Sequence, residues 1–252
     1  VDGGDVVRLL LERRIADDAD LVGGHGPKAT VAQVPTPQPD PSGHYFSPDP
    51  SAPSAPSAVD LVLPEGRLVR LATDRGVFSG DRVDPGTRIL LAEGPPVRGP
   101  VLADVGCGYG PIAVALALRG GADVVVWAVD VNERARALCA ANAAANGVAE
   151  RVRVVAPDEV PADLVVDQLW SNPPIRIGKA ALHDLLSTWL GRLRPGSGTA
   201  ELVVQKHLGS DSLATWLNHA GWPTVRRTSR AGYRLLSVSA PPGPVAASEA
   251  HP

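Results

Sequence analysis

A doubly wound α/β fold, built on a mostly parallel seven-stranded sheet that ends in an antiparallel hairpin, is the architecture this sequence predicts. Three observations predict it. From Val101 onward, short apolar strand-like runs alternate strictly with amphipathic helical segments. A glycine-rich turn, Gly106 to Gly110, lies where the first of these runs passes into the first helix. The last two apolar runs, in contrast, have no helix between them.

In chain order, residues 1–58 read as an acidic arm and linker. An acidic amphipathic piece from Asp5 to Asp20 is followed by a Gly/Pro/Thr-rich stretch without apolar period, the pattern of a flexible arm. The Pro/Ser/Ala run from Ser47 to Ser57 lacks donors at its prolines and has their φ fixed, so it predicts an extended linker. Residues 59–98 form an N-terminal extension. Val59–Leu63 and Arg67–Leu71 alternate about Pro64-Glu65-Gly66, a β-hairpin signature, and Asp84-Pro85 offers an N-cap and a first-turn proline for a helix running to Ala92.

The main domain spans 99–240, and a disordered tail is expected over 241–252. Strands are predicted at Val101–Val105, Val124–Val129, Val152–Val155, Leu164–Trp170 and Ala200–Val204, and helices at Pro111–Arg119, Asn132–Asn146, Ala180–Leu193 and Ser210–Ala220. Such alternation implies a parallel sheet covered on both faces. Thr224–Thr228 and Arg234–Val238, joined through Gly232, then predict the closing hairpin.

Composition bounds the function classes. With 252 residues, 44% of them hydrophobic, the chain can bury one substantial core. Two cysteines, Cys107 and Cys139, are too few for a disulfide framework and suit a reducing compartment as small core residues. No apolar run approaches the roughly 20 residues of a membrane span, and the N-terminus lacks a signal-peptide pattern, so a soluble cytoplasmic protein is expected. The chain has no Met and begins with Val1, which fits either a removed initiator or a GTG start; 21 Arg against 3 Lys points to a GC-rich bacterial genome.

The net charge of −3 hides a polarity along the chain. Residues 1–60 carry nine acids and four bases, whereas residues 171–240 carry nine bases and three acids. A polyanion can dock on that second region through phosphate contacts; scattered surface arginines are the alternative.

The segment Asp104-Val-Gly106-Cys107-Gly108-Tyr-Gly110-Pro111 lets a ligand approach the backbone closely at a helix N-terminus. Pro111 stands where a dinucleotide fingerprint requires its third Gly, which counts against pyrophosphate binding. Asp104, before the glycines, is placed to receive the amino group of a methionine moiety. Asp130 closes the second strand, where a carboxylate accepts from both ribose hydroxyls of a nucleoside; Cys107 and Val131 complete the contacts. Asn132 either assists or caps the next helix, and Asp158 either meets an adenine amine or is a turn residue after Pro157. No metal site is expected.

Asn172-Pro173-Pro174-Ile175 follows the fourth strand at the carboxyl edge, where open α/β sheets bind ligands. The two prolines stiffen the backbone, so the Asn172 side chain and the Pro173 carbonyl are expected to point outward as two fixed acceptors. That pair suits an sp² exocyclic amine. Each acceptor takes one N–H, and the nitrogen lone pair is left free toward an electrophilic methyl.

These residues resemble a known family. Phe78-Ser79, Asp84-Pro85-Gly86-Thr87, the glycine turn, Ser171-Asn-Pro-Pro-Ile-Arg-Ile-Gly-Lys179 and Gln205-Lys-His207 are together similar to the small-domain methyltransferases related to the bacterial 16S ribosomal RNA guanine-N2 methyltransferase C family. The similarity runs from about His44 to Ser239. The resemblance implies a Rossmann-like methyltransferase sheet, S-adenosylmethionine as cofactor, a guanine 2-amino group of rRNA as acceptor, and Asn172 as the central catalytic residue. The terminal hairpin is what separates this class from nicotinamide-binding Rossmann proteins.

Two departures stand out. Larger members carry a second, degenerate domain for which this chain has no room. Ile175 stands where many amine methyltransferases place an aromatic residue to stack on the base, so stacking falls to another residue or is absent; Phe78 is a candidate for stacking or for the core. Arg176, Lys179 and Lys206 are candidates for RNA phosphates, with a solvated face as the alternative. The same tetrapeptide also serves glutamine methylation in release factors and adenine methylation in DNA, usually with an aromatic fourth residue. A non-catalytic RNA-binding module is the reading from a different class.

Overall fold

The computed structural model describes residues 53–77, 79 and 82–243. The predicted acidic arm, most of the linker, Phe78 and the end of the tail lie outside the described residues.

The N-terminal extension opens with β1 (Ser57–Val62) and β2 (Leu68–Thr73), antiparallel with Val59 opposite Leu71. Alternation buries Val59, Leu61, Val69 and Leu71 on one face. Helix α1 (Pro85–Glu93) begins as its sequence dictates: the Asp84 carboxylate accepts from the Thr87 amide at 3.0 Å, and Pro85 occupies the first turn.

The main sheet contains β3 (Val101–Val105), β4 (Val125–Val129), β5 (Val152–Val155), β6 (Gln168–Ser171), β7 (Thr199–Gln205), β8 (Thr224–Arg230) and β9 (Tyr233–Ser239). Their spatial order is β5-β4-β3-β6-β7-β9-β8, with β9 antiparallel to both neighbours and the pairs from β5 through β7 parallel. Helices α2 (Pro111–Arg119), α3 (Glu133–Ala145), α4 (Lys179–Leu190) and α5 (Ser210–His219) connect them. The hairpin turn has Ala231 and Gly232 both at positive φ, 47° and 81°, as a two-residue turn matched to strand twist requires.

One predicted strand is shorter than expected. Leu164–Trp170 pairs as a strand only from Gln168, because Val166 bonds the segment after α4 instead: its amide donates to the Arg192 carbonyl and its carbonyl accepts from the Arg194 amide.

Strand alternation divides the core into two layers. Leu102, Val126, Ala128 and Val203 pack under α1, α2, α3 and the N-terminal hairpin. Ala103, Val105, Leu169, Leu202 and Val204 pack under α4 and α5. Among the described residues no helix is long and apolar enough to cross a membrane.

Asn142 ties the extension to this sandwich. Fully buried on α3, it accepts from the Ala72 amide at 2.7 Å and donates to the carbonyls of Ala72 and Tyr109, both at 2.8 Å. It thereby acts as a strand partner for β2 and a brace for the glycine turn. Asn142→Ala leaves buried backbone groups unpaired and is expected to cost about 2–4 kcal/mol. Urea unfolding checks this, with a lower midpoint at an unchanged slope.

Candidate active site

The order β4-β3-β6 places a topological switch point at β3, and a crevice opens at the carboxyl ends of these strands. It is a cavity of about 460 Å³, within the size range of small-molecule sites. Gly106, Cys107, Gly108, Asp130, Val131 and the segment Asn172 to Arg176 all line it. Sequence positions far apart are thus brought together.

The glycine turn is clipped to the end of β4. The amides of Gly106 and Cys107 donate to the Val129 carbonyl at 2.8 and 3.1 Å, and Gly106 and Gly108 adopt φ of 75° and 55°. A β-carbon on Gly106 would approach Pro174 at 3.8 Å, so the absence of side chains here keeps the turn open toward the tetrapeptide. Asp130 accepts from the Gly108 amide and the Asn132 amide, each at 2.9 Å, which fixes both carboxylate oxygens at the cavity wall. Burial raises its pKa, against the opposing pull of those two amides. The Cys107 thiol is held well above its ordinary range by its hydrogen bond with Cys139 and by burial, so it contributes a neutral wall.

Several expected site residues lie elsewhere. Asp104 is fully buried beneath the turn and does not line the cavity; one oxygen accepts from the Ala113 amide at 2.9 Å in the first turn of α2, and the other is unpartnered among the described residues. Gly110 serves packing, since a β-carbon there would meet the Cys139 sulfur at 2.6 Å. Asp158 is exposed and outside the cavity, whereas Pro157 lines it. Asn132 is a cap, accepting from the Ala135 amide at 3.0 Å, and it also lines the cavity. Lys179 and Lys206 stand outside the cavity, at the start of α4 and just past β7.

Burial pushes the Asp104 carboxyl up to about 8. A folded value above the unfolded one means that the neutral form stabilises the fold: that contribution is complete below about pH 4 and is lost as pH rises to about 8. Asp104→Asn, neutral throughout, is expected to melt progressively higher than the unsubstituted ligand-free protein as pH rises from 5 to 9. Melting temperatures across that range check it.

The Asn172 amide is held at its amino end. Its Nδ2 donates to Oδ1 of Asp84, the N-cap of α1, at 2.8 Å and to Oγ1 of Thr87, in its first turn, at 3.2 Å. With the amino end so engaged, Oδ1 is the free end, and it accepts from no described residue. Ser171, one position earlier, donates to the Val105 carbonyl at 2.6 Å and anchors the tetrapeptide to the end of β3. The Pro173 carbonyl is less free than expected, because it accepts from the Ile175 amide at 2.8 Å; one lone pair remains.

Sequence reasoning read Asp84 as a helix cap only and passed over Thr87, Tyr109, Gln205 and Tyr233, all of which line the cavity. The Tyr109 hydroxyl is buried without a partner among the described residues, and burial together with Asp84 raises its pKa. Gln205 donates through Nε2 to the Tyr233 hydroxyl at 2.8 Å. Only the quoted segments Asp84 to Thr87 and Gln205 to His207 carried any signal of this.

Four of the nine bases of the predicted basic surface are paired with carboxylates. Arg194 pairs with Asp167 at 2.5 Å, Arg230 with Glu93 at 2.7 Å, Arg227 with Glu201 at 3.7 Å, and Arg234 with Asp211. Arg192 lies over the Trp189 ring and donates to the Pro161 carbonyl. Arg176, Lys179, Lys206 and Arg226 keep no ion-pair partner among the described residues, and the first three stand at the carboxyl edge of the sheet.

Comparison with known proteins agrees with this geometry. The model of the methyltransferase small domain matches residues 68–235. "Uncharacterized protein YbxB" of Bacillus subtilis (strain 168) is 37% identical over 176 residues, covering 68% of this chain and 85% of that protein. Ribosomal RNA small subunit methyltransferase C of Shewanella loihica is 35% identical over 160 residues, 61% of this chain and 45% of the relative; the chain spans about half the length of such relatives. Among solved structures, the T. thermophilus 16S rRNA N2 G1207 methyltransferase in complex with AdoMet and guanosine superposes with a TM-score of 0.63 at 25% identity, over 75% of this chain and 51% of that one. A mostly parallel sheet with an antiparallel last hairpin, a glycine turn facing an Asn-Pro-Pro segment, and a family match over most of the chain lead to one assignment: the chain belongs to the methyltransferase small domain family.

Proposed function

We propose that this chain transfers a methyl group from S-adenosylmethionine to an exocyclic amine of a base in RNA, the guanine 2-amino group of 16S rRNA being the acceptor. The observation that carries the proposal is the tethering of the Asn172 amino end by Asp84 and Thr87, which leaves Oδ1 as a fixed acceptor at the cavity.

The residues fit the cofactor. Gly106 and Gly108 leave a side-chain-free cradle, Asp130 offers remaining lone pairs to a ribose, and Val131 and Pro157 frame an adenine. Asp104 acts from below by holding the first turn of α2 through the Ala113 amide. When bound, S-adenosylmethionine supplies an electrophilic methyl on a sulfonium centre.

Asn172 Oδ1 and the remaining lone pair of the Pro173 carbonyl each accept one N–H of the target amine, which turns the nitrogen lone pair toward that methyl. The alkylated nitrogen then loses a proton to water, so no side-chain base is required. Pro174 and Ile175 shape the floor, Arg176, Lys179 and Lys206 contact flanking phosphates, and Phe78 is a candidate for stacking on the base. RNA, as 16S rRNA or a ribosomal particle, is the partner, and the site of action is the cytoplasm.

Tritiated methyl transfer to total RNA, followed by mass spectrometry of rRNA nucleosides from a strain lacking the gene, tests this. Loss of N2-methylguanosine is expected. Cofactor binding without labelling of any RNA would sink the acceptor assignment and favour a glutamine or other amide acceptor.

A further inference from the structure

We propose that Gln205 and Tyr233 form the edge of the acceptor site that reads guanine, taking its N1–H and O6 while Asn172 and Pro173 hold its 2-amino group. The inference rests on the guanine acceptor proposed above and deepens it.

The two residues are register partners at the ends of β7 and β9, both half-buried and both lining the cavity. Because Gln205 Nε2 donates to the Tyr233 hydroxyl, Gln205 Oε1 is left as an acceptor and the Tyr233 hydroxyl proton as a donor. Neither is used by another described residue. An acceptor and a donor therefore stand side by side on one wall.

That wall adjoins the catalytic amide. A β-carbon on Gly86 would lie 2.7 Å from Tyr233 Cε1 and 2.9 Å from Asp84 Oδ1, so the ring and the carboxylate flank a single point. Asp84 Oδ1 is in turn 2.8 Å from Asn172 Nδ2. Only a glycine at position 86 lets the Tyr233 ring come this close to α1, and the tight turn at Ala231-Gly232 delivers Tyr233 to its place.

Along its Watson–Crick edge guanine presents amino donor, N1–H donor and O6 acceptor in that order. Asn172 with Pro173, then Gln205, then Tyr233 supply acceptors, acceptor and donor in the complementary order. Adenine presents a lone pair at N1 and an amine at position 6, which sets acceptor against acceptor and donor against donor. A polar site left mismatched in this way rejects the wrong base by about tenfold or more.

The test is calorimetric titration of the full chain, saturated with S-adenosylhomocysteine, with four nucleosides. Inosine keeps N1–H and O6 without the 2-amino group; 2-aminopurine riboside keeps the amine without N1–H or O6. Guanosine is expected to bind most tightly, inosine next, and 2-aminopurine riboside and adenosine weakest. In Gln205→Leu and in Tyr233→Phe, guanosine and inosine should weaken by about tenfold while 2-aminopurine riboside changes by less than about twofold. Unchanged S-adenosylhomocysteine affinity certifies the fold of each variant.

Variants that keep the wild-type order, or a wild type that does not prefer guanosine to 2-aminopurine riboside, overturn the assignment of this pair; if N2-methylguanosine is still made in RNA, the acceptor itself survives. A wild type that binds S-adenosylhomocysteine, binds no guanosine and methylates no RNA guanine overturns both.

Discussion

Asn172→Ala should lower kcat by at least about tenfold, and by up to about a thousandfold, while S-adenosylmethionine affinity changes by less than about threefold. The side chain's amino end is spent on Asp84 and Thr87, which leaves Oδ1 as its free acceptor. On the proposed mechanism, removing it deletes an acceptor that strengthens as the target nitrogen becomes positive, a transition-state contact, whereas Gly106, Gly108 and Asp130 remain in place. Isothermal titration for the cofactor and single-turnover methyl transfer for the chemistry separate the two. An equal loss of both would mean that Asn172 is a binding residue and would remove the catalytic role given to it.

Asp84 should produce the second large effect, by a route that stability alone cannot explain. One oxygen accepts from the Thr87 amide and from Asn172 Nδ2, so a single carboxylate caps α1 and orients the catalytic amide. Asp84→Ala is expected to cost about 1 kcal/mol through the lost cap. It should also lower kcat by about ten- to a hundredfold, because the amide can then rotate and present its amino end to an amine. Asp84→Ser separates the roles. Serine restores the cap, but its hydroxyl is too short to serve both partners, so the melting temperature should recover and kcat should not. Recovery of both by serine would reduce Asp84 to a cap.

The architecture was legible because it follows from local periodicity. The short, near-continuous apolar runs at 101–105 and 125–129, each followed by a helical period, suit strands buried on both faces of a covered parallel sheet, and the Asp84-Pro85 start of α1 depends on neighbours within one turn. The glycine turn and Asn172-Pro173-Pro174 were legible for the same reason, since backbone freedom and backbone stiffness are written in single residues. Leu164–Trp170 was read too long because an apolar run does not say which neighbour will take its amides. Arg194 and Arg230 read as part of a cationic face because their partners Asp167 and Glu93 lie outside residues 171–240, while a charge count within that segment does not say that Glu201 and Asp211 pair with Arg227 and Arg234.

What the order of residues alone decided is the sheet, the two covered faces and the place on its rim where Asn172 meets a glycine turn, since each depends on burial period or on φ preferences within a few residues. What only the folded chain decided is which end of the Asn172 amide faces the cavity, which carboxylates reach it, and which arginines are free. The amide tether depends on side chains 85 and 88 positions apart meeting within hydrogen-bond distance. Such a meeting is set by the packing of α1 against β7 and β9, and hydrogen-bond direction falls off too steeply with distance and angle to be read from spacing along the chain.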